Sequence, residues 1–86
     1  MCPHLIAAGD ASPEPMTADG CTACLAQGRH DWVHLRLCLA CGFVGCCDSS
    51  PQRHASGHFA VEGHPVVRSF EPGEQWRWCF VDEALG

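Results

Sequence analysis

The residues able to do chemistry in this chain are mostly cysteines and histidines, and their spacing is that of metal ligands. Cys21-Thr22-Ala23-Cys24 and Cys38-Leu39-Ala40-Cys41 are both CxxC turns. Two intervening residues let both thiolates face one ion, about 2.3 Å away for zinc, while nearby backbone N–H groups steady their charge. One such turn also suits a redox protein, but two with histidines downstream point to metal. Downstream stand Cys46, Cys47, His54, His58 and His64. His54 and His58 are one helical turn apart, so they can meet one ion or straddle two. His64 precedes Pro65, which holds a ligand rigidly. A third group lies toward the two ends: Cys2 with His4, and Cys79 with Asp82. All four on one zinc would tie the ends together, with Asp82 the less common kind of ligand. The alternative is a loose Cys2/His4 segment and a merely buried Cys79.

Composition narrows the choice. There are 8 Cys and 6 His in 86 residues, enough to staple a domain too small for a large apolar core. A disulfide framework needs an oxidising compartment and leaves the histidines unexplained. Met1-Cys2-Pro3-His4 carries no positive charge, and Leu5–Ala8 is too short for the apolar core of a signal peptide. No run approaches the roughly 18 apolar residues of a membrane span. The expectation is a single domain over residues 1–86, monomeric and cytoplasmic, with no membrane contact. The net charge is −5, all five basic residues are Arg, and Lys is absent. Such a balance argues against nucleic-acid binding, which shows a basic patch or stripe.

The elements that must position these ligands follow from patterning. Residues 9–20, rich in Pro, Gly and Asp, read as a loop. Trp32–Cys38 alternates, with Val33, Leu35 and Leu37 on the face expected to be buried and Trp32, His34 and Arg36 on the other. Ser50 is a good N-cap and Pro51 suits a first helical position, so a helix is expected from there to about Glu62, closed by Gly63. Phe59 and Val61 are available for its packing. Val66–Phe70 reads as a second strand and Trp76–Val81 as a third, joined by the turn signal Glu71-Pro72-Gly73-Glu74. The fold class is a small α+β zinc-stabilised domain: a short antiparallel sheet, one main helix and interleaved Cys/His sites.

Catalysis is not expected. A catalytic zinc keeps an open coordination position beside a base. Here the protein ligands suffice to close every site, the His-x-Glu with Pro-Cys-x-x-Cys deaminase signature is absent, and Glu62 reads as a surface residue at a helix end.

Taken together, Cys2-Pro3-His4, Cys21-x-x-Cys24, Trp32, Cys38-x-x-Cys41, Val44-Gly45-Cys46, His54-Ala55-x-x-His58, Gly63-His64-Pro65 and Trp78-Cys79 span nearly the whole chain. In that order they resemble the UBP-type zinc finger, the ubiquitin-binding finger of deubiquitinating proteases and of a cytoplasmic histone deacetylase. The resemblance implies one zinc on Cys21, Cys24, Cys46 and His54, and a second on Cys38, Cys41, His58 and His64. It implies a third on Cys2, His4 and Cys79, with Asp82 where three-zinc relatives have cysteine. The count is three ions, or two if that last site does not form. Cys47 competes with Cys46 for the ligand role, because one residue is inserted before His54; Cys46 keeps the family's spacing from Cys41.

The family typically captures a free C-terminal Gly-Gly tail, so the resemblance implies a protein or peptide C-terminus as partner. Trp32 matches an aromatic wall position, Trp78 and Phe80 lie in the segment that lines the pocket, and Arg36 shares the strand face of Trp32. Trp76 is assigned less to the pocket than to the core. Two departures stand out. The family's peptide binders carry Arg soon after the cysteine aligned with Cys46, where this chain reads Cys47-Asp48-Ser49-Ser50-Pro51, and Phe80 replaces a frequent tyrosine. The Cys-Cys-Asp-Ser-Ser-Pro run is similar to bacterial members.

Overall fold

A computed structural model describes residues 2–86. Three helices, α1 (Pro3–Ala8), α2 (Thr22–Ala26) and α3 (His54–Glu62), accompany five strands. These are β1 (Leu35–Cys38), β2 (Val44–Cys46), β3 (Val66–Ser69), β4 (Arg77–Cys79) and β5 (Ala84–Leu85). They form one antiparallel sheet in the order β2-β1-β3-β4-β5. This is the α+β architecture expected from the sequence, with α3 as its longest helix.

The pairing register separates two faces, because residues directly opposite one another project to the same side. On one face Leu37 opposes Val44 and Val66 opposes Cys79. These four, with Leu39 and with Leu5 from α1, make the apolar core. On the other face Arg36 opposes Gly45, Val67 opposes Trp78, and Trp78 opposes Leu85. Helix α3 lies against this second face, and Gly45 is what admits it. A Cβ there would stand 2.7 Å from both Cα and N of Ala55. The loop over residues 11–20 contains neither helix nor strand. It crosses the second CxxC turn, where Met16 N–H donates to the Gly42 carbonyl at 2.9 Å.

Local expectations shift at several points. Helix α3 begins at His54, not at Ser50. Ser50 is buried with its hydroxyl committed elsewhere: it accepts the Val33 N–H at 2.8 Å. The first helical N–H, that of His54, instead meets the Cys46 sulfur at 3.2 Å, an acceptor from another element. Strand β1 begins at Leu35, and Val33 lies ahead of it, 50% exposed, because its N–H bonds to a loop and not to a neighbouring strand. Val61 is 82% exposed, while Phe59 stacks on Phe80 with ring centroids 5.1 Å apart. The second and third expected strands shorten to β3 and β4. Helices α1 and α2 and strands β2 and β5, of six, five, three and two residues, are too short to leave a periodic signature.

Candidate metal centres and the adjoining hollow

Each CxxC turn places its sulfurs through local backbone geometry. Cys21 is the N-cap of α2, and its sulfur accepts the Cys24 N–H at 3.3 Å. Strand β2 delivers Cys46, and α3 delivers His54. The Cys24 and Cys46 sulfurs are 3.9 Å apart, and His54 Nδ1 lies 3.3, 3.2 and 3.6 Å from the sulfurs of Cys21, Cys24 and Cys46. A tetrahedron with ordinary Zn–S and Zn–N bonds has edges of about 3.8 Å between sulfurs and about 3.6 Å from sulfur to nitrogen. The donor spacing fits zinc.

A second group sits one turn further along α3. Cys38 Sγ is 3.5 Å from His64 Nδ1, and Cys41 Sγ is 3.3 Å from His58 Nε2. Phe43 fixes the His58 ring by stacking on it, with centroids 4.2 Å apart and planes 2° from parallel. The third group joins α1 to the β4–β5 turn. Cys79 Sγ lies 3.6 Å from His4 Nδ1 and 3.8 Å from Asp82 Oδ2. Asp82 Oδ2 is itself 2.8 Å from Cys2 Sγ and 3.0 Å from His4 Nδ1. Within each group of four, the donor atoms all lie within 4.8 Å of one another.

The electrostatics call for a cation. None of the eight cysteines is in a disulfide. Burial pushes the Cys24 thiol up to about 12, and the neighbouring Cys21 and Cys46 add to the rise. Burial likewise raises Cys38, with Cys41 adding, although backbone N–H groups of Ala40 and Cys41 pull the other way. Three buried sulfurs cannot ionise together unless a divalent ion takes up their charge. Burial and the charge of His64 hold His58 below its ordinary pKa, which favours the neutral imidazole that ligation requires. The donor set, its spacing and the backbone N–H bonds to sulfur therefore suit zinc.

Cys47 stands apart from all three groups. It is buried, and its sulfur lies 3.6 Å from the Ser50 hydroxyl. Burial alone would raise this thiol. The Ser50 hydroxyl, backbone N–H groups of Ser49 and His34, and the charge of Arg36 outweigh it and bring the pKa below its ordinary value.

Beside the metal groups, between α3 and the second face of the sheet, is a hollow of about 300 Å³. Arg36, Trp78 and Phe80 line it together with Trp76, Val67, Leu85, Cys47 and Asp48. The Arg36 guanidinium stacks over Trp76, 4.5 Å from the ring centroid, and donates to the Leu35 carbonyl at 3.0 Å. Asp48 accepts a short hydrogen bond from the Ser56 hydroxyl of α3. Trp32 lies off the hollow. It packs beside the Cys21, Cys24 and Cys46 group, its ring over Gly20. The alternation Trp76-Trp78-Phe80 was the signal that could have brought Trp76 into the pocket, since all three line it.

Residues 21–85 match the sequence profile of the zf-UBP family, the Zn-finger in ubiquitin-hydrolases and other protein. The chain belongs to the zf-UBP family. Its fold is also similar to the solution NMR structure of protein RPA1320 from Rhodopseudomonas palustris. The two share 47% identity and a TM-score of 0.85, over 99% of this chain and 79% of that one. No curated protein matches the chain significantly. The zf-UBP domain is a zinc-binding module, not a catalytic one, and its three Cys/His-rich clusters are in keeping with that. No helix among the described residues is long and apolar enough to cross a membrane.

Proposed function

We propose that this zf-UBP domain is a cytoplasmic, monomeric protein-interaction module whose hollow receives the free C-terminal tail of a protein partner. In this reading zinc is structural. Cys21, Cys24, Cys46 and His54 hold one ion; Cys38, Cys41, His58 and His64 a second; Cys2, His4, Cys79 and Asp82 a third. Cys46 is the ligand and Cys47 is spare.

The observation that carries the peptide reading is the placement of Arg36 among Trp76, Trp78 and Phe80. A fixed guanidinium pairs with a carboxylate, and flat aromatic walls accept a tail whose glycines have no side chains. Asp48 shares the lining and disfavours an anion, while its bond to Ser56 draws it toward the helix. A Gly-Gly-terminated tail of the ubiquitin type is the first ligand to try. Isothermal titration of matched peptides, one free acid and one C-terminally amidated, tests the idea. The free acid alone should bind; equal binding of both, or of neither, overturns carboxylate capture.

A second reading, a thiol-responsive protein built on structural zinc, is favoured by Cys47, a thiol outside every metal group that lines the hollow. Thiol titration of the zinc-loaded protein distinguishes the two: a spare thiol that does not react leaves only the structural role. Nucleic acid is no partner in either reading, in view of the acidic charge.

A further inference from the structure

The three donor groups differ in two properties that govern how firmly they hold metal. The first comprises three buried cysteines and a partly buried histidine, and the second one buried cysteine with three partly buried donors. The third has a single buried donor, Cys79, and its His4 and Asp82 side chains are 37% and 38% exposed. It is also the only group among the described residues with a carboxylate in place of a soft donor. Thiolate and imidazole suit borderline-soft zinc better than an exposed oxygen that water can replace. Asp82 Oδ2 further lies within hydrogen-bonding range of Cys2 Sγ and His4 Nδ1, so these donors can satisfy one another when no ion holds them. The first group offers only sulfur–imidazole and sulfur–sulfur contacts, which are weaker than a bond to a carboxylate.

The third group is also well placed to affect the hollow. Cys79 and Asp82 bracket the turn that begins with Phe80, and Phe80 lines the hollow while stacking on Phe59 of α3. Beyond the turn, β5 carries Leu85 into the same lining. On the opposite side, Cys2 and His4 bring α1, which is otherwise held by Leu5 in the core and by Arg77 donating to the Leu5 and Gly9 carbonyls.

We propose that Cys2, His4, Cys79 and Asp82 form an exchangeable zinc site, weaker than the other two, whose occupancy sets the position of Phe80 and Leu85 in the hollow. The domain thereby responds to zinc availability while its two firmer sites keep the fold intact. This holds whatever the hollow receives.

The test is a chelator titration of the full chain, followed by native mass spectrometry and by NMR of the Phe80 and Leu85 side chains, with no peptide present. Loss of even an outer-shell partner of a metal ligand costs roughly 10–100-fold in affinity. One ion should therefore leave at a chelator concentration about 100-fold below that needed for the others. Its loss should shift the Phe80 and Leu85 signals and leave those of Leu37 and Val44 in place. Asp82→Ala should hold two ions from the start and show the shifted signals. Asp82→Cys should keep the third ion until the others leave. The proposal is overturned if three ions leave together, if Asp82→Ala retains a third ion as firmly as the parent, or if the first loss leaves Phe80 and Leu85 unmoved. Because no peptide is used, failure of the tail-binding proposal would not imitate any of these results.

Discussion

His54 and His58 stand one turn apart on α3 yet serve different clusters. His54 turns Nδ1 to the sulfurs of Cys21, Cys24 and Cys46, whereas His58 turns Nε2 to that of Cys41. One helix therefore spaces two metal groups, and any displacement of α3 reaches both. The helix is seated on the sheet at Gly45, opposite the Ala55 backbone.

Gly45→Ala tests that seating. The added methyl would meet Ala55 N and Cα at 2.7 Å, both backbone atoms of the helix. Overpacking of this kind typically costs about 1–3 kcal/mol. The expected outcome is a lower thermal midpoint together with weaker metal retention at both α3-dependent groups, read by chelator competition. Full retention at either group would count against the shared-helix account.

Removal of metal should unfold the domain. Structural zinc contributes an apparent ~10–16 kcal/mol in small fingers, against roughly 5–15 kcal/mol of stability for a whole domain. Excess strong chelator is expected to abolish cooperative unfolding and the near-ultraviolet circular dichroism of the tryptophans. Cys24→Ser should do the same at lower chelator, with one ion fewer by native mass spectrometry.

Acid should destabilise the protein from the histidine range downward. His58 is held below its ordinary pKa of 6.5, first by burial and then by His64. The unfolded chain therefore takes up a proton at this position before the folded one does. The associated stability is present above about pH 6.5 and is lost as pH falls toward the depressed folded value. Protonation of metal ligands acts in the same direction. Thermal midpoints measured from pH 8 to pH 5 should be level at first and then fall; a level profile throughout would contradict the assignment.

The hollow makes opposite predictions for its two charges. Hydrogen bonds to charged groups contribute about 1.5–3 kcal/mol, so Arg36→Gln should weaken a free-acid peptide roughly 10–100-fold and leave an amidated one unchanged. Asp48→Asn removes a like charge and should strengthen the free acid several-fold. Titration of both variants against both peptides reads the four outcomes.

Much of this domain was legible because metal ligands announce themselves by type and spacing. The twelve residues singled out for metal fall into three groups of four; strands β1, β3 and β4 follow from alternation, and the end of α3 from the breaker at Gly63. What the chain did not disclose locally depends on contacts between distant residues. Helix α3 starts later than the serine-proline pair implies, because its first N–H meets the Cys46 sulfur while the Ser50 hydroxyl accepts the Val33 N–H. Alternation puts Val33 on the buried face but says nothing about where pairing begins, and β1 starts only at Leu35. The place of Trp76 beneath Arg36 follows from a strand register that no single segment encodes.

The interleaving of the two α3-dependent groups also bears on how the chain matures. Synthesis proceeds from the N-terminus, so Cys21, Cys24, Cys38 and Cys41 emerge before either His54 or His58. Four thiols from two knuckles are a competent zinc ligand set in their own right. The nascent segment therefore meets metal with the wrong partners in reach, and sorting the two knuckles into separate sites waits for the helix that follows them.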